Sequence, residues 1–210
     1  MVSEPDTIQV LLQDIRRCRD CIVDCPSTPV VYSAPNPKIV VVSEEPPLGA
    51  WRKDLGKSWA GDGEKKGTIK TEGWQGGTAH QFCEWAGITD GIDQLVFWIQ
   101  RANCRVNTGR GYVFHHCSYK FILRAIQVVR PKLVITLGHV AAQFFLQFNN
   151  LSEVVGDAYR CKEGAIEYTL IPLFHPSKTN QPWRTQFKQI HEDSKRALEV
   201  SIDEVKRIEA

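Results

Sequence analysis

The sequence predicts an α/β protein: a three-layer α/β/α sandwich around a central four-stranded, mostly parallel sheet. Four short apolar runs recur along the chain, and stretches with helical spacing of apolar residues alternate with them. Strands alternating with helices favour parallel strands joined by right-handed crossovers, with helices on both faces. The 210 residues contain no Pro/Gly/Ser-rich linker, so one domain over 1–210 is expected.

The elements follow in order. Ile8, Leu11, Leu12 and Ile15 lie on one helical face, which predicts an amphipathic helix over 8–17. It runs into Cys18-Arg19-Asp20-Cys21, with Cys25 beyond. A two-residue gap lets two sulfurs face one metal centre; a pair of small buried residues fits the same pattern. Residues 39–42 are mostly β-branched, stand between Pro37 and Pro46-Pro47, and read as a strand buried on both faces. That strand turns at Glu44 and Glu45. Ligands of open α/β sheets bind at the carboxyl ends of strands, so the two acids are candidates for a crevice mouth, although an acidic surface turn also fits.

Residues 50–73 lack periodicity and carry Arg52, Lys53, Lys57, Lys65, Lys66 and Lys70 around Trp51 and Trp59. Cations interleaved with aromatic rings suit a nucleic-acid backbone and its bases; they also suit a solvated loop. Gly73-Trp74-Gln75-Gly76-Gly77 opens a helix to about Ala86, closed by Gly87. Residues 95–102 form the second strand, with Gln100 near its exit. Phe114, Cys117, Phe121, Ile122, Ala125 and Val128 mark a helix over 112–129, stopped by Arg130-Pro131. The third strand is 132–137; Gly138 turns it into a helix over 140–148. The fourth, 168–174, leads into His175-Pro176-Ser177, and a last amphipathic helix spans 184–208.

A net charge of +2 neither demands nor excludes a nucleic-acid partner. No run approaches the roughly 20 apolar residues of a membrane span, and no basic-then-apolar leader opens the chain, so a cytoplasmic protein without a membrane partner is expected. Seven cysteines are an odd number for a disulfide framework. Metal or cluster ligation is the better expectation for the paired ones, with Cys104 and Cys117 as further candidates beside Cys83 and Cys161.

The order of these motifs resembles the uracil-DNA glycosylase superfamily, most closely its iron–sulfur branch, family 4, from Cys18 to about Trp183. Cys18-x-x-Cys21 looks like that branch's N-terminal cluster pair, and Ser43-Glu44-Glu45-Pro46-Pro47 occupies its G-E-A-P-G site. Trp74-Gln75-Gly76 sits where the branch has F-x-G, and the segment from Gln100 to Arg105 resembles N-x-x-K-C-R. Cys117 matches the last cluster cysteine, Arg130-Pro131-Lys132 through Leu137-Gly138 the R-P-K…L-G segment, and His175-Pro176-Ser177 the second catalytic motif. The specificity lies in their order and spacing together.

The resemblance implies a DNA glycosylase that hydrolyses the N-glycosidic bond of a flipped-out pyrimidine and leaves an abasic site. It implies Glu45 as the carboxylate that positions or deprotonates water, with Glu44 as second choice, and His175 as the group stabilising charge on the departing base. Trp74 would stack on the base and Gln100 read its edge, beside Ser43 and Pro47. Ser177, Lys178, Asn180 and Arg184 would meet DNA. Cys18, Cys21, Cys104 and Cys117 would hold a [4Fe–4S] cluster, with zinc the alternative. DNA is the implied partner, and a monomer is expected.

Three departures bear on substrate. The branch has alanine where this chain has Glu45, while relatives reading G-Q-D-P-Y have their catalytic aspartate there. Gln100 replaces an asparagine, and Pro47 stands where a tyrosine blocks 5-substituents. The expected substrate is therefore uracil or a 5-modified pyrimidine, including the glucosylated hydroxymethylcytosine of phage DNA in a defence role. A catalytically inactive, metal-stabilised nucleic-acid-binding module is the reading from another class. Glu45 together with His175 argues against it, because a binder needs neither.

Overall fold

A computed structural model describes residues 7–20, 31–44, 82, 95–104, 110–176 and 186–209. Helix α1 (Ile8–Arg17) begins where the Thr7 side chain accepts a hydrogen bond from the Val10 amide, and it buries Leu11, Leu12 and Ile15 as the periodicity requires. Strands β1 (Tyr32–Ser33), β2 (Ile39–Ser43) and β3 (Val96–Gln100) follow. Helix α2 (Arg110–Cys117) passes through a π-helical turn, Ser118–Ile122, into α3 (Leu123–Val129). Then come β4 (Leu133–Leu137), the short helix α4 (His139–Ala142), a 3-10 turn (Leu151–Glu153), the hairpin β5 (Tyr159–Glu163) and β6 (Ile166–Leu173), and α5 (Lys188–Glu209).

The sheet order is β1-β3-β2-β4-β6-β5. The four expected strands are its parallel centre, β3-β2-β4-β6. Their continuous apolar runs reflect burial on both faces. Among the described residues the sheet has six strands rather than the expected four, because β1 and β5 add antiparallel edges. Neither has an apolar run. β1 is two residues long, and β5 alternates partly buried Tyr159 and Cys161 with exposed Arg160 and Lys162, the polar alternation that protects a sheet edge.

Both faces are covered. On one, α1, α2, the π turn and α3 pack against Val40, Val42, Phe97, Ile99, Val134 and Leu170. On the other, Leu198, Ile202 and Val205 of α5 and the Phe82 ring meet Ile39, Val41, Trp98, Ile135 and Leu173. Each such aliphatic side chain, fully buried, contributes about 1.5–3 kcal/mol.

The expected stop at Arg130 is a left-handed cap: φ is 51° and its N–H reaches the Ile126 carbonyl. The helix expected over 140–148 ends instead at Ala142. Phe144, Phe145 and Leu146 are consecutive and bulky, and a continuing helix would spread them around its axis. Tight turns let all three pack against the core, Phe144 edge-on to Tyr119 at 5.4 Å. The basic stretch 50–73 and the helix opening at Gly73 lie outside the described residues, apart from helical Phe82, whose ring stands edge-on to Trp98 at 5.5 Å. No helix among the described residues is long and apolar enough to cross a membrane.

Candidate active site at the carboxyl ends of the parallel strands

Register sets the site. Ser43, the last residue of β2, pairs with Gln100, the last of β3, and Leu137 of β4 pairs with Leu173 of β6. Parallel pairing therefore brings Ser43, Gln100, Gly138 and His175 to one edge of the sheet. The β2–β3 connection continues past the strands: the Arg101 amide donates to the Ser43 carbonyl at 2.8 Å and the Ala102 amide to the Glu44 carbonyl at 3.0 Å. The backbone of Glu44 is thus fixed by the exit of β3. Buried Ser43 accepts from the Trp98 indole at 3.0 Å, so its hydroxyl is tied to the core.

Gln100 is fully buried, and neither its Oε1 nor its Nε2 has a hydrogen-bond partner among the described residues. Its backbone N–H donates to Asn103 Oδ1 at 3.2 Å, while Asn103 Nδ2, equally buried, is unpartnered among the same residues. A buried polar group left unpaired costs about 1–3 kcal/mol. Carboxamides in that condition at a strand exit can take a donor and an acceptor from a ligand.

His175 is half-buried and follows β6. It packs on Gly138, which sits at φ 91° and ψ 169°, and whose N–H donates to the Leu173 carbonyl at 2.8 Å. Beside them lies a cavity of about 130 Å³ lined by Gly138, His139, Asn150, Leu151, Ser152, Phe174 and His175. The partly buried Arg101 guanidinium donates from Nε to Ser118 Oγ at 2.9 Å and from Nη1 to the Val140 carbonyl at 2.7 Å. It also lies over Phe144 at 5.4 Å and Phe114 at 5.8 Å. Burial lowers its pKa from the ordinary value, and the Tyr119 and Glu44 side chains oppose that shift.

Residues 30–198 match the sequence profile described as the Uracil DNA glycosylase superfamily. The chain belongs to that superfamily. Over 83 residues it is 26% identical to the Type-4 uracil-DNA glycosylase of Archaeoglobus fulgidus, an overlap covering 34% of this chain and 42% of that protein. The chain thus spans less than half the length of this relative.

Of the superfamily positions singled out in the sequence, the structure brings Ser43, Glu44, Gln100 and His175 to the same sheet edge. Glu45, Pro47, Trp74, Ser177, Lys178, Asn180, Arg184 and Cys21 lie outside the described residues. Cys18, Cys104 and Cys117 are thiols, the last two buried. Among the described residues no three His, Cys, Asp or Glu side chains are grouped as a metal site. The segment bearing Cys18 is nonetheless docked beside Cys117, because Asp20 bonds His116 at 3.3 Å and Lys120, the residues flanking Cys117. Cys18 and Cys117 also pack into the same core. Cys18, Cys104 and Cys117 do not together form such a metal-site group, and Cys21 lies outside the described residues.

Sequence reading took in Arg101 and Asn103 only as part of the segment from Gln100 to Arg105, with no role of their own, and it missed the cavity residues His139, Asn150 and Ser152. The Gly-His pair after a strand end was a usable signal for the cavity. Arg101 carried none, since its acceptors come from remote segments.

Proposed function

We propose that this protein is a DNA glycosylase that hydrolyses the N-glycosidic bond of a flipped-out pyrimidine, uracil or a 5-modified pyrimidine, leaving an abasic site. The observation that carries the reading is the fully buried carboxamide of Gln100, unpartnered among the described residues, at the strand ends that also present Glu44 and His175. A pyrimidine edge offers a donor and an acceptor side by side, and a primary amide complements such an edge with two hydrogen bonds. Flipping exposes that edge, and stacking on Trp74 would add roughly 1–3 kcal/mol.

Bond cleavage leaves positive charge on the sugar and negative charge on the base. Glu45, with Glu44 as second choice, holds the water and stabilises the cationic sugar. His175 donates to the base O2 as charge develops there, a preorganised contact whose loss typically costs about 3–4 kcal/mol. Ser177, Lys178, Asn180 and Arg184 meet the phosphate backbone, so DNA affinity falls steeply between about 50 and 200 mM salt. Pro47 leaves room at C5, and Gln100 reaches one methylene further than asparagine; both favour a pyrimidine larger than uracil. By the resemblance, Cys18, Cys21, Cys104 and Cys117 would hold a [4Fe–4S] cluster; the docking of Asp20 on the residues around Cys117 supports the approach of the Cys18 segment to that helix. The cluster's part would be to pin the N-terminal segment to the helix.

The test is incubation with duplex and single-stranded DNA carrying uracil, hypoxanthine or glucosylated hydroxymethylcytosine, followed by alkali. Strand breaks at a pyrimidine, lowered about 10²–10³-fold by Glu45→Gln or His175→Ala with DNA binding kept, are expected. Binding without breaks at any base would favour the inactive module.

A further inference from the structure

We infer that Arg101 is a positioning residue that holds the base-reading strand exit and the His175 support in one arrangement; the inference rests on the glycosylase reading above. Arg101 immediately follows Gln100. Its backbone N–H is bonded to the Ser43 carbonyl at 2.8 Å, which fixes the exit of β3 against β2. Its side chain reaches the other way. Nη1 donates to the Val140 carbonyl at 2.7 Å, inside the helix that Gly138 opens, and His175 packs directly on Gly138. Nε donates to Ser118 Oγ at 2.9 Å, in the π-helical turn.

The chemistry explains why arginine stands here. A planar guanidinium presents donors in fixed directions, so one side chain can bond two acceptors on different elements while its faces lie on Phe114 and Phe144. Lysine offers a point charge on a flexible stem and cannot hold both directions rigidly. The π turn has a matching reason. Such turns widen a helix locally and recur at functional sites, and this one contains the fully buried Ser118 that receives Nε. Arg101 therefore joins three pieces: the strand exit carrying Gln100, the turn supporting His175, and the helix carrying Cys117. Losing it frees α4 and Gly138 to shift against β3, and a displacement of about 1 Å between reacting groups can cost 10²-fold in rate.

The experiment compares wild type, Arg101→Met and Arg101→Lys, each alone and with His175→Ala. Single-turnover base release, DNA affinity and the NMR resonance of the His175 ring, assigned by its loss in His175→Ala, are measured. Arg101→Met is expected to slow release about 10–100-fold, to leave DNA affinity within about threefold, and to move the His175 resonance. Arg101→Lys should fall between Met and wild type, and it carries the test if the Met variant does not fold. With His175 already removed, the Arg101 changes should lose most of their effect, since the side chain they position is gone. Fully additive losses, or an unmoved His175 resonance, would overturn the inference. Were wild type to release no base from any DNA, the glycosylase reading would fall, while the resonance would still decide whether Arg101 places His175.

Discussion

A Cβ built on Gly138 would stand 3.2 Å from the Cβ of His175. The glycine is doubly required, since φ 91° with ψ 169° is a region that residues bearing a Cβ scarcely enter. Gly138→Ala should therefore cost about 1–3 kcal/mol and push His175 off its place. Thermal unfolding and base release should both fall. Gly164 is the control: it has φ 60° with open space around it, so Gly164→Ala should cost about 1 kcal/mol and leave release unchanged. Equal effects on release at both positions would remove the special role of Gly138.

On the proposed reading, Gln100 sets stability against recognition. Its carboxamide has no hydrogen-bond partner among the described residues, and replacing the residue with methionine, of similar length, removes a buried polar group worth about 1–3 kcal/mol of penalty. At about 2–4 °C per kcal/mol for a chain of this size, Gln100→Met should melt several degrees above wild type. The same variant should lose base release or change which base is cut. A lower melting temperature with base choice intact would mean that Gln100 serves the fold.

Tyr168 predicts an alkaline limit. It is buried on β6, and burial, with Cys161 and Glu163 nearby, pushes its pKa up to about 12. The unfolded phenol ionises near about 10, so between these values the unfolded state holds fewer protons than the folded one. The stabilisation is complete below about pH 10 and is lost as pH rises toward 12, amounting to about 2–3 kcal/mol. Melting temperatures of wild type should drop across that window, and Tyr168→Phe should flatten the drop. Parallel curves for the two proteins would contradict the assignment.

The cysteines give a spectroscopic prediction. Protein purified without oxygen should be brown, with broad absorption near about 400 nm from iron–sulfur charge transfer. Cys117→Ser should lose the colour and Cys161→Ser, on the edge strand β5, should keep it. Asp20→Ala should release iron faster to a chelator, because it removes the bonds to His116 and Lys120. Stoichiometric zinc without iron would refute the cluster.

The four central strands, α1 and the order of the superfamily motifs were legible in the sequence, because burial on both faces or on one helical stripe writes itself into local periodicity. Residues 39–42 and 132–137 needed no partner to be read as strands, and His175 was marked by the strand before it. Tertiary structure alone decided which of these motifs meet. Pairing of Ser43 with Gln100 is a property of register between segments far apart in the chain, and a slip of one residue would turn Gln100 to the other face. The same holds for whether a buried amide finds a partner, for the seat of His175 on Gly138 and for the two acceptors of Arg101. A polar side chain's type is local, but its hydrogen-bond partner is supplied by whatever the folded chain brings beside it. The edge strands β1 and β5 stayed hidden for the complementary reason: a strand covered on one side only has no apolar run to announce it.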